Sequence, residues 1–278
     1  MKANDQWIHE LSLRQLDELA ASSPHALIIE GQMGIGLANA AQYLAETMDA
    51  TVSTVLPERD EKIDLDKGTI TIDIIRRLYD QTKTLAAKKR VMVIHDSHTM
   101  GLQAQNAFLK LLEEPTASTH FVLLTSERSA LLPTVTSRAQ LVSLRKPTHA
   151  VAEALLDGAG VKDATKRSQL LFIADGLPEL LKNLMGDSEL FEQRATIMRD
   201  ARIVVQGQPY QKLVIAQRYK DERKDALLLV SDAMRLIRLG VKNNPSPDHM
   251  KRLERLLVIG ERLNANGNVR LQLASLVV

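Results

Sequence analysis

Between residues 25 and 144 four short apolar runs alternate with helical stretches, and that alternation decides the class of fold. The runs are HALIIEG (25–31), RVMVI (90–94), HFVLLT (120–125) and QLVSL (140–144). Their length and their polar or glycine boundaries mark buried strands. Helical spacing of apolar residues marks 7–22 (Ile8, Leu11, Leu13, Leu16, Leu19, Ala20), 37–48, 73–87 and about 101–113, the last stopping at Glu114-Pro115. Residues 51–72 read as a connecting stretch with β-branched residues. Strands separated by helices give an α/β fold, a mainly parallel sheet with helices on both faces.

After Lys146-Pro147 the strand signal vanishes. Residues 148–188 hold short helices punctuated by Gly158, Gly160 and Gly176, and 189–278 are helical, with 223–241 and 248–264 separated by NNPSP. At 278 residues the chain exceeds what one compact core usually holds. The expected plan is three domains: a sheet domain (1–147), a small helical domain (148–188) and an all-α C-terminal domain (189–278).

Composition closes several classes of function. The chain has no cysteine, which excludes disulfides, thiolate zinc sites and cysteine nucleophiles and fits a reducing compartment. Aromatics at 3% are too few for rows of base-stacking side chains. No apolar run reaches the roughly 18 residues a bilayer span requires, and MKANDQWIHELSL lacks an apolar signal core, so a cytoplasmic location is expected. The net charge of +2 hides an asymmetry: residues 1–198 carry 21 Lys+Arg against 26 Asp+Glu, and residues 199–278 carry 15 against 8. That basic excess fits a solvated helical face or a surface for phosphate or an acidic partner.

The run ending at Gly31 leads into Gly31-Gln-Met-Gly34-Ile-Gly36 and then a helix, which is a phosphate-loop layout. A working loop also needs a lysine to reach the β and γ phosphates and a hydroxyl to hold Mg²⁺. Leu37 and Ala38 stand there instead. By themselves the glycines fit either a relic loop or a plain structural turn. The second strand, where acidic residues would bind magnesium, ends in His95-Asp96. With His98 these could be metal ligands, but three ligands within four residues cannot easily converge on one ion. No metal and no cofactor are expected.

The stretch 90–146 carries a family resemblance. Asn106-Ala-Phe-Leu-Lys-Leu-Leu-Glu-Glu-Pro115 resembles the NALLKTLEEP helix of bacterial DNA polymerase III clamp-loader subunits, and Thr134-Val-Thr-Ser-Arg-Ala139 resembles their T-[IL]-x-S-R-C motif. Ile72-Asp-Ile-Ile-Arg-Arg77, Gly176-Leu-Pro-Glu-Leu-Leu and the tail Asn264-Ala-Asn-Gly-Asn-Val-Arg270-Leu-Gln-Leu are similar to other segments of these proteins. Within the family the chain looks most like the delta-prime branch, because motor subunits keep a complete loop and an Asp-Glu pair. It departs in having Ala139 for the motif's cysteine and no four-cysteine zinc module.

The resemblance implies an AAA+-type sheet domain, a lid and a collar for oligomerisation. It implies a subunit of the DNA polymerase III holoenzyme without ATPase activity of its own, partnered with gamma/tau motor and delta subunits. Through them it would meet the sliding clamp and primed DNA, with no membrane. Thr125 takes the place where a working ATPase senses the γ phosphate, and Glu179 aligns with a lid arginine that does the same. Arg138, with Ser137 beside it, takes the place of an arginine finger acting on a neighbour's ATP. Glu113-Glu114 at a helix C-terminus oppose the dipole, which suggests that a partner or solvent takes their charge. Two competing readings are an active ATPase of the same superfamily and a stand-alone adaptor on an inert AAA+ scaffold.

Overall fold

A computed structural model describes residues 7–65, 67–82, 88–114, 118–243 and 246–277. The chain divides into two compact units, Met1–Asn183 and Leu184–Val278.

The first unit runs α1 (Glu10–Ser22), β1 (Ala26–Glu30), α2 (Leu37–Thr47), β2 (Thr51–Val55), a small hairpin β3 (Glu58–Arg59) and β4 (Lys62–Ile63), α3 (Ile72–Thr82), β5 (Arg90–Ile94), α4 (Leu102–Glu113), β6 (Thr119–Thr125), α5 (Pro133–Thr136) and β7 (Gln140–Ser143). Then come α6 (His149–Gly158), α7 (Ala164–Ala174) and α8 (Pro178–Gly186), whose last turn passes into the second unit. Five strands form one sheet in the order β2-β5-β6-β1-β7, every neighbouring pair parallel.

Alternation along the strands sorts the core into two layers. Ile28, Met92, Phe121 and Leu123 pack with α3 and α4, where Phe108 meets Phe121 edge-on at 5.3 Å between ring centroids. Leu27, Ile29, Val91, Val93, Val122 and Leu124 pack against α1 and α2. β6 is buried along its whole length, as a central strand must be.

The parallel α/β class is the one the sequence predicts, with one correction. Residues 51–72 are more than a connection: Thr51–Val55 adds an edge strand, and Glu58 bridges to Thr69. As an edge, β2 keeps most positions at least partly exposed, so TVSTV lacks the apolar density that revealed the other four strands. The helix expected over 73–87 is described as Ile72–Thr82, and residues 83–87, like Pro115, lie outside the described residues.

The second unit is helical throughout its described residues: α9 (Ser188–Gln206), α10 (Pro209–Arg218), α11 (Arg223–Asn243), α12 (Pro247–Asn264) and α13 (Val269–Ala274). α11 packs on both α9 and α12 around Ile197, Leu229, Ala233, Ile237, Leu256 and Ile259. Two buried charge clusters stitch this core. Arg194 pairs with Asp232 at 3.1 Å, and Asp200 accepts from Arg218 at 2.6 Å and from the Tyr219 hydroxyl at 2.9 Å. Burial and the Asp200 carboxylate push the Tyr219 hydroxyl pKa well above its ordinary value. No helix among the described residues is long and apolar enough to cross a membrane.

Candidate nucleotide site and arginine corner

The loop after β1 is held by backbone geometry. The Gly31 N–H donates to the Thr125 carbonyl at 3.1 Å, tying the loop to the end of β6. A Cβ at Gly31 would stand 2.9 Å from Ile35 Cγ2. Gly34 (φ +84°) and Gly36 (φ +96°) adopt left-handed conformations, and Gly36 opens α2. The glycines therefore serve the turn itself.

What the turn presents differs from a phosphate cradle. The Gly34 carbonyl accepts from the N–H groups of Glu179 at 3.0 Å and Leu180 at 3.2 Å, in the first turn of α8. Free N–H groups at a helix start are where an anion would be held. A main-chain oxygen occupies these two on α8, whereas the N–H groups that open α2, the helix following the loop, receive no side-chain cap. A Cβ at Gly34 would lie 3.1 Å from Leu180 Cβ, so loop and helix are in close contact. Leu37 and Ala38, half-buried, pack against the α1–α2 layer and offer no cation or hydroxyl.

The end of β5 is equally unsuited to polyphosphate. Burial holds the His95 imidazole pKa below its ordinary value of 6.5, against the opposing pull of the nearby Asp96 and Glu179 carboxylates. Glu179 thus brings negative charge to the side of the site where the resemblance places a sensing arginine. Asp96 turns the chain through a left-handed residue (φ +45°). Thr125, fully buried, accepts from the Glu127 N–H at 3.0 Å through its hydroxyl. Among the described residues no group of three or more His, Asp or Glu side chains, His95, Asp96 and His98 included, is placed to hold a metal ion.

On the other side of β6, the short α5 begins at Pro133, and Ser137 and Arg138 follow its last turn. Ser137 Oγ donates to the Thr134 carbonyl at 3.2 Å. Arg138 donates through Nη1 to the same carbonyl at 3.1 Å and through Nη2 to Glu113 at 2.9 Å. The arginine side chain is 39% exposed and Glu113 52%, so the pair lies open to solvent. Glu113 therefore meets a cation of its own chain while remaining open to solvent.

Gln105 was absent from the sequence reading. Its side chain is only 3% exposed, yet it is fully engaged: Nε2 donates to the carbonyls of Met100 at 3.0 Å and Ala130 at 2.9 Å, and Oε1 accepts from Leu132 N–H at 2.7 Å. It binds α4 to the segment that leads into α5 and Arg138. The signal was available, since Gln105 shares the buried stripe of α4 with Phe108 and Leu112, and a polar residue there demands partners.

A family model described as "DNA polymerase III, delta subunit" matches residues 10–148, half of the chain. The chain belongs to the AAA+ clamp-loader-related family of DNA polymerase III delta, delta-prime, gamma and tau subunits. It is 30% identical to the delta-prime subunit of Pseudomonas aeruginosa over 177 residues, covering 62% of this chain and 52% of that protein. It is 30% identical over 120 residues to the delta-prime subunit of Escherichia coli, covering 42% and 34%, and 25% identical over 165 residues to the gamma/tau subunit of Mycobacterium tuberculosis, covering 50% and 28%. The match to the first of these relatives spans about half of that relative's length. A gamma subunit-related protein of Thermotoga maritima shares the fold over 96% of this chain and 97% of that one, with a TM-score of 0.57 and 21% identity. The RuvB branch migration motor of the same organism shares it over 73% and 77%, at a TM-score of 0.54 and 12% identity.

Proposed function

We propose that this chain is a non-hydrolysing, delta-prime-like subunit of a DNA polymerase III clamp loader, and that Arg138 serves a neighbouring subunit's ATP. The observation that carries the reading is Leu37 and Ala38 at the start of α2, packed against the α1–α2 layer where a phosphate loop would present a lysine and a hydroxyl. Positioned charge is nearly all a protein contributes to phosphoryl transfer, and here the lysine and the magnesium hydroxyl are replaced. Arg138 supports the second half. A guanidinium offers a planar fork of donors and stays charged at any working pH. Its partner Glu113 is exposed, so an incoming phosphate displaces only a solvent-screened pair worth less than about 1 kcal/mol.

The C-terminal unit then acts as the oligomerisation element, with gamma/tau and delta subunits as partners and clamp and DNA reached through the assembly. Leu228, Leu239, Leu257 and Leu271 are exposed there. Subunit contact would cover them. The three-part partition at 147 and 188 belongs to this proposal.

The test is ATP turnover. The purified chain should show none above background, and reconstituted complex carrying Arg138→Ala should lose most clamp- and DNA-stimulated turnover while assembling normally. Unchanged turnover in an intact complex removes the trans role. Hydrolysis by the chain alone, abolished by Gly36→Ala, supports the active-ATPase reading instead. Failure to assemble with motor and delta subunits supports the adaptor reading.

A further inference from the structure

The basic excess of the C-terminal region finds no use in the function proposed above, and the structure gathers part of it in one place. Arg252 and Arg255 lie one turn apart on α12. Arg252 Nη1 donates to the Val205 carbonyl at 3.3 Å, which brings its guanidinium to the C-terminal end of α9. The chain turns there at Gly207 and enters α10, and Lys212 sits in that helix's first half. Arg252 thus approaches the α9–α10 turn, and Lys212 on α10 lies near enough to Arg252 and Arg255 to feel both charges.

Among the described residues none of the three has an ion-pair partner; the Val205 carbonyl satisfies one of Arg252's five donors. Elsewhere the chain pairs its arginines freely, as Arg167 does with both Glu153 and Asp157. The crowding is felt: burial, then Arg252 and Arg255, lower the pKa of Lys212. Like charges placed together without a counter-ion oppose folding, so the arrangement fits a site whose counter-ion arrives with a ligand.

Charge also differs along the unit. Glu189 and Glu192 on α9, with Glu222 and Asp225, line a shallow cavity of about 390 Å³ near the start of that helix. From Glu189 to Val205 is 16 residues, or ~24 Å of helix. Arg218 lines the same cavity, so charge there is mixed, whereas the α10–α12 cluster is cationic alone.

We infer that Lys212, Arg252 and Arg255 form a binding site for the phosphate backbone of nucleic acid on the helical unit. Two forked guanidiniums and an ammonium suit successive phosphates, whereas recognition of base sequence would need more groups than the cluster holds.

The experiment is fluorescence anisotropy of the full-length chain with a short labelled DNA duplex, between about 50 and 200 mM salt. The triple variant Lys212→Ala, Arg252→Ala, Arg255→Ala should bind at least about tenfold more weakly and reduce the slope of log affinity against log salt by about 3. A control that removes the exposed, paired Arg14, Arg59 and Arg76 should change affinity by less than about twofold. Lys212→Gln alone should be at least as stable to urea as the parent, because it relieves repulsion, while still weakening binding. No binding by the parent at the lowest salt overturns the proposal, as does equal weakening by the two triple variants. Binding of an acidic peptide through the three cations, with DNA ignored, also overturns it, in favour of a protein partner.

Discussion

The loop at Gly31–Ala38 and the corner at Val135–Ala139 lie on the same domain and have kept opposite things. The loop keeps its backbone, with left-handed glycines at 34 and 36 leading into α2, and lacks the side chains that would act on phosphate. The corner keeps its charged side chain, steadied by Thr134 and Glu113 and backed by the buried Gln105 network. Geometry in a phosphate loop is also fold geometry: it joins strand to helix and is retained whether or not phosphate binds. A solvent-exposed arginine has no such second use.

If that contrast is right, Arg138→Lys should behave almost like Arg138→Ala. It keeps charge but loses the fork, and turnover at the neighbouring site should fall by about 10³-fold in single-turnover measurements on assembled complex. Near-normal turnover would mean that charge alone suffices. Gln105→Leu comes next in size. It strands the Leu132 N–H and two carbonyls, and should lower the stability of the N-terminal unit by about 3 kcal/mol in urea unfolding. A smaller loss would detach the corner from α4.

Gly34→Ala puts a side chain at φ +84° and against Leu180. A loss of about 2 kcal/mol is expected, and a neutral effect would show that the loop can leave α8 at little cost. His95 gives a smaller, pH-dependent signature. Because its folded pKa lies below 6.5, the unfolded chain binds more protons, so its contribution is present above pH 6.5 and lost as pH falls below it. His95→Gln should flatten that part of the stability profile. The smallest expected effect is none: Leu37→Lys with Ala38→Thr should restore no hydrolysis, because Glu179 remains and β5 still ends in His95-Asp96. Measurable turnover would show that those two residues alone stood between this loop and activity.

Much of this was legible in the sequence where one residue type has one physical meaning. Apolar density exposed β1, β5, β6 and β7, and Leu37 and Ala38 declared the missing chemistry without any coordinates. The edge strand β2 escaped because an edge needs little apolar content. Contacts between distant segments escaped as well. Nothing local to Glu113 announces Arg138, 25 positions on, and nothing local to Gly34 announces the start of α8. Gln105 is intermediate: its place on an apolar stripe was visible, but its partners at 100, 130 and 132 required the fold.

The seat of the Gly34 carbonyl on α8 also has a mechanical side. Two hydrogen bonds, from the Glu179 and Leu180 N–H groups, fix the loop after β1 to the start of α8, and the lack of a side chain at 34 lets the two segments approach that closely. Because both partners are main chain, no side-chain substitution short of proline removes the donors or the acceptor. The joint works as a rivet: a displacement of the first turn of α8 is passed straight to the end of β1.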